Sequence, residues 1–158
     1  MSKAKGMEIS MGKRGYIFLP GGFNKVIEEL SKSYRIYAPV LKVGEGRFTD
    51  TDVVRYDFVK ESSEIELDKK SDYSFKEILT PLSQTLFFFT ENDVKESEID
   101  EREVLVFLRS CDLNALKRLD QIYLHNGREE DYFYARIRDK VKFVLIGCAH
   151  SYEDCFCV

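Results

Sequence analysis

Two apolar runs without alternation stand out in the last third of the chain, Val104-Leu105-Val106-Phe107-Leu108 and Phe143-Val144-Leu145-Ile146. Such runs predict strands covered on both faces, as in a parallel sheet. The strands are read over 103–108 and 142–147. Between them, Leu113, Leu116, Leu119, Ile122 and Tyr123 share one helical face, which predicts a helix capped by Asp112 and running to about 124. His125-Asn126-Gly127 closes it, and Tyr132, Phe133, Ala135 and Ile137 predict a second helix over 131–139. A strand–helix–helix–strand order makes the two strands parallel neighbours through a crossover.

The first two thirds carry weaker periodicity. Residues 1–15 read as a loose lead-in and 16–19 as a short β-prone run. Phe23, Val26, Ile27 and Leu30 predict a helix capped by Asn24 and ending near 31. A strand follows over 34–43, where Pro39 argues for an edge or a bulge. Residues 53–59 alternate as a strand, and 62–67 suggest another. Ser74 starts a short helical turn that Pro81 stops. The segment 82–90 ends in Leu86-Phe87-Phe88-Phe89, read as a buried strand, and 91–102 is charged enough to be exposed loop. The expected fold is α/β (α+β): one domain over 1–158, an antiparallel strand-rich first half in a mixed sheet, a C-terminal parallel βαβ-like unit and helices on the sheet's faces.

Composition narrows the function. Hydrophobic residues at 44% and charged residues at 33% fit a folded domain and exclude wholesale disorder. A net charge of −4 gives no overall basic footprint for nucleic acid. No apolar run approaches the roughly 20 residues that span a bilayer, and the N-terminus lacks the apolar core of a signal peptide. The expected location is cytoplasmic, without a membrane or nucleic-acid partner. In a reducing compartment, cysteines read first as metal or redox groups.

The four cysteines are Cys111, Cys148, Cys155 and Cys157. Cys111 follows the first apolar strand and Cys148 the second. Parallel neighbouring strands bring both to one sheet edge, where open α/β sheets place their ligands. Cys155 and Cys157 lie close enough in sequence to fold back. Four thiolates suit an iron–sulfur cluster or a tetrahedral zinc. The Cys155-x-Cys157 spacing is tighter than the usual C-x-x-C, so four unrelated buried thiols stay open as a reading. A disulfide across that spacing closes a strained ring. Cys111, beside Arg109 at a helix N-terminus, is also a candidate nucleophile. His125 lies at the far end of that helix and His150 near Cys148. Pro20-Gly21-Gly22 and Gly44-x-Gly46 lack a phosphate-loop pattern and read as turns. Asp50, Asp52 and Asp57 lack a calcium-loop spacing.

Three stretches together resemble the A subunit of anaerobic sulfite reductases and the related β subunits of sulfhydrogenases. They are Gly46-Arg47-Phe48-Thr49-Asp50-Thr51-Asp52 with Tyr56; residues 74–89 with Lys76-Glu77, Pro81 and Leu86-Phe87-Phe88-Phe89; and Arg109-Ser110-Cys111-Asp112-Leu113 with Gly147-Cys148 and Cys155-Phe156-Cys157. The resemblance covers roughly 34–158, with Ser110 where the wider family carries proline. It implies an electron-transfer subunit with [4Fe–4S] clusters, relaying electrons from an NADH-oxidising flavoprotein subunit to a sirohaem subunit that reduces sulfite. Cys111, Cys148, Cys155 and Cys157 then hold the iron, with Arg109 and Asp112 beside them. The chain is expected to be an N-terminal piece of an oxidoreductase subunit, with the ferredoxin-like region after 158 missing and no catalysis of its own. The alternatives are a structural or docking domain with reduced or zinc-bound cysteines, and a sulfhydrogenase electron-transfer subunit.

Overall fold

The computed structural model describes residues 7–9, 16–18, 21–48, 50–97, 102–152 and 155. At its centre lies a four-stranded sheet in the order β4-β3-β7-β8. The strands are β3 (Arg35–Lys42), β4 (Val53–Val59), β7 (Val104–Arg109) and β8 (Val141–Ile146). β3 pairs antiparallel with β4 and parallel with β7, and β7 pairs parallel with β8. The sheet is therefore mixed, and the parallel C-terminal unit is present as the apolar runs predict. Two smaller antiparallel pairs stand apart from it, β1 (Met7–Ile9) with β2 (Tyr16–Phe18) and β5 (Phe87–Phe89) with β6 (Val94–Glu96).

Every residue of β7 is buried, because helices cover both of its faces. Val104, Val106 and Leu108 join the core that includes Leu116 of α2 (Ser110–Leu124) and Tyr134 of α3 (Tyr132–Asp139). Leu105 and Phe107 face the other way, into a core with Ile27 of α1 (Gly22–Ser31) and with Ile36, Ala38 and Ile65. A strand with two buried faces has no polar side to alternate with. β8 is less covered than its sequence suggests. It is an edge strand, and Leu145 is exposed.

Several expectations need correcting. Residues 7–9 are not loose lead-in, since they pair with β2; the remainder of 1–15 lies outside the described residues. Gly21, not Asn24, caps α1, with a positive φ of 76° that glycine adopts without strain. Asn24 lies inside the helix, where its amide donates to Glu28 and its carbonyl accepts from the Ser62 N–H. β3 runs through Pro39 unbroken and is an interior strand. The proline is tolerated because pairing with β7 stops at Tyr37, and the Pro39 carbonyl accepts from the Glu66 N–H at 2.8 Å instead. Residues 62–64 form a 3₁₀ turn rather than a strand. The 3₁₀ turn Phe75–Ile78 does start at Ser74, whose hydroxyl accepts from the Lys76 N–H. Asp112 sits in the first turn of α2 rather than before it, and its carboxylate accepts from the Arg109 N–H at 3.2 Å. The largest departure is Phe87–Phe89. It forms β5 as a strand, but an exposed one, paired among the described residues only with β6 from the stretch expected as loop.

Candidate functional site

The parallel pairing sets Arg109 opposite Ile146, so β7 and β8 end side by side. Cys111 follows β7 in the first turn of α2, and Cys148 follows β8 by two residues. Both therefore emerge at the carboxyl edge of the sheet. Cys155 is partly buried and Cys148 exposed; neither is in a disulfide, nor is Cys111. Cys157 lies outside the described residues.

Arg109 organises this edge. It is the last residue of β7 and is only 3% exposed. Its Nη1 donates to Cys148 Sγ at 3.2 Å. Its Nη2 donates to the Leu67 carbonyl at 2.6 Å and the Lys69 carbonyl at 3.1 Å. A buried guanidinium is costly unless its N–H groups are taken, and here two carbonyls and a sulfur take them. One side chain thus ties the loop 67–69, the end of β7 and the segment after β8 together. The guanidinium turns to these groups rather than to the Asp112 carboxylate. Asp112 instead accepts the Arg109 backbone N–H and lies 3.5 Å from the Tyr56 hydroxyl. Burial, then the Asp112 charge, push the Tyr56 phenol well above its usual range.

Tyr152 is the member of this edge that sequence reasoning missed. The Arg109 guanidinium lies 5.0 Å from its ring centroid, within cation–π range. Its hydroxyl donates to the Asp68 carbonyl. Its backbone N–H donates to Cys155 Sγ at 3.1 Å, and the Cys155 N–H returns to the Tyr152 carbonyl at 3.0 Å. Cys148 and Cys155 are therefore each gripped by a hydrogen bond from the same Arg109–Tyr152 pair. The only sequence signal was an aromatic residue set between two cysteines. His150 packs its ring against Tyr152, with centroids 4.8 Å apart, while His125 caps the far end of α2.

The donor types suit a thiolate-held metal, since thiolates are the ligands of iron–sulfur clusters and of many zinc sites. Their described placement does not form a shell. Among the described residues, no three His, Cys, Asp or Glu side chains are grouped so as to hold a metal ion.

These features define a mixed α/β domain with a thiol-bearing sheet edge built around a buried arginine. No family model matches the chain, and no solved structure matches it. The chain is a distant relative of "Sulfhydrogenase 2 subunit beta" from Pyrococcus furiosus, 30% identical over 141 residues. The match takes in 89% of this chain and 38% of that protein, so the chain spans well under half the length of its relative. Among the described residues, no helix is long and apolar enough to cross a membrane.

Proposed function

We propose that this chain is part of an electron-transfer subunit of a multi-subunit oxidoreductase, working through an iron–sulfur cluster held by Cys111, Cys148, Cys155 and Cys157. The observation that carries the reading is the hydrogen bond from buried Arg109 to Cys148 Sγ at the carboxyl edge of two parallel strands. N–H groups aimed at sulfur tune cluster potentials, and partners around the ligands fix their orientation. The bond from the Tyr152 N–H to Cys155 Sγ is a second donor of that kind. When bound, a [4Fe–4S] cluster supplies one-electron transfer. Arg109 orients Cys148 and keeps a fixed positive charge beside it. Asp112 holds the first turn of α2, and with it Cys111, against the end of β7.

The relative favours a sulfhydrogenase-type complex, because a sulfhydrogenase β subunit is what the chain is similar to. The sulfite-reductase branch, with flavoprotein and sirohaem partners in the cytoplasm, rests on the sequence resemblance alone. Anaerobic reconstitution with ferrous iron and sulfide tests the shared claim. The expected product absorbs broadly near ~400 nm and gives a paramagnetic signal on reduction. A product that stays colourless and takes up zinc instead favours a structural domain.

A further inference from the structure

A cleft of about 340 Å3 opens at the same sheet edge, on the α1 side and next to Cys148. Phe107, Val144 and Ile146 form its apolar floor, Phe23 of α1 closes one wall, and Tyr152 closes another. It is absent from the residue pattern of the sequence because it is assembled from α1, two strands, the loop at 67–68 and the segment 147–152. From this cleft we propose a binding site for a planar, carbonyl-bearing redox ring, of the flavin or quinone class.

Four observations select that chemistry. The volume lies at the lower end of small-molecule sites, roughly 300–1,000 Å3. It is large enough to take one ring system. The lining is apolar and aromatic on several sides, which suits a flat ring better than a sugar or a phosphate. The rim supplies a donor: His150 lines it, and an imidazole carries at least one N–H. A ring with carbonyl groups at its edge satisfies such a donor, and an aliphatic ligand does not. Finally, the Arg109 guanidinium stacks on Tyr152. It places a fixed positive charge behind that wall, which favours a ring able to carry negative charge. Tyr152 is itself held in place by its bond to the Asp68 carbonyl, so the wall is preformed.

The cleft shares Tyr152 and the segment around Cys148 with the iron–sulfur reading, but its test does not depend on iron. The full chain, as purified and before any iron is added, is titrated into riboflavin, followed by quenching of flavin fluorescence. Menadione is titrated separately, followed by quenching of tyrosine emission, which dominates because the chain has 9 Tyr and no Trp. Gly147 offers a blocking variant. It lines the cleft, and a Cβ added there meets nothing within 4 Å among the described residues. Gly147→Phe is expected to fill the cleft and weaken binding at least tenfold, while Gly147→Ala leaves it unchanged. Should Gly147→Phe fail to fold by circular dichroism, Ala149→Trp blocks the same rim from an exposed position. Saturable binding of riboflavin alone assigns the flavin class, of menadione alone the quinone class, and of both the shared ring; each requires loss in the folded blocking variant. No saturable binding of either probe overturns the proposal, as does binding that survives the block.

Discussion

Two apolar stretches of similar composition end in opposite environments. Val104–Arg109 is buried throughout and pairs on both sides. Phe87–Phe89 is exposed throughout, with Phe89 81% open to solvent, and among the described residues pairs on one side only. The difference is in what covers them. β7 has α1 on one face and α2 with α3 on the other. Among the described residues, β5 has one edge-on ring contact, Phe87 to Phe133 at 6.2 Å, and a nearby Arg136–Glu96 ion pair at 3.2 Å ties β6 to α3. Apolar content made both stretches strands. Only neighbouring elements made one of them core.

The sharpest way to break this contrast is to truncate one side chain in each strand. Leu108→Ala, at a position with 0% exposure, is expected to cost ~2–5 kcal/mol in urea unfolding. Phe88, at 59%, sits at the other extreme of the comparison. Equal costs at the two positions would contradict the assignment of β7 as core and β5 as surface.

The core should also be distinguishable by pH. Burial, followed by the Glu77 and Asp57 charges, raises the Tyr37 phenol to about 12. Tyr56 and Tyr134 shift in the same direction, again with burial as the first cause. An acid whose folded pKa is raised binds its proton longer in the folded state. Its contribution is full below the unfolded value near ~10 and is lost as pH climbs through the folded value. For Tyr37 that is about 2–3 kcal/mol. Urea midpoints should therefore hold up to about pH 10 and fall from there to about 12. A flat profile over that window would place these phenols in water.

Arg109→Met tests whether the sheet edge belongs with the core. It removes the donors to the Leu67 and Lys69 carbonyls and to Cys148, at an expected ~1–3 kcal/mol. Arg109→Lys should recover little, because an ammonium lacks the planar fork that reaches three acceptors. Hydrogen exchange should rise selectively at 67–72 and 147–152. Uniform exchange across the chain would mean Arg109 acts on global stability alone. The smallest effect is expected for Phe88→Ala, within about 0.5 kcal/mol, as for surface changes away from caps and ion pairs.

How much of this was legible in the sequence depended on how local the cause was. β4, α3 and the parallel pair β7–β8 followed from periodicity and length, since each is set by residues within itself. Both thiols at the strand ends followed from that pairing. Pro39 misled because its cost depends on where β7 stops, 65 or more residues away in the chain. Phe87–Phe89 misled because burial needs a cover that the strand does not encode. Arg109 was marked as a neighbour of Cys111, yet its guanidinium turns to Cys148, 39 residues on, and to a loop some 40 residues back. Tyr152 drew no notice because nothing in its spacing announces a partner on 67–69.

The most direct measurement for the electron-transfer reading is the iron content of the reconstituted chain across a set of single substitutions, Cys111→Ala, Cys148→Ala, Cys155→Ala and Cys157→Ala. The account predicts about four irons per chain for the parent, as a [4Fe–4S] cluster requires. It also predicts marked loss in each variant, with Arg109→Met retaining iron at a shifted potential. Iron content that is negligible in the parent, or that is unchanged in all four variants, would contradict it.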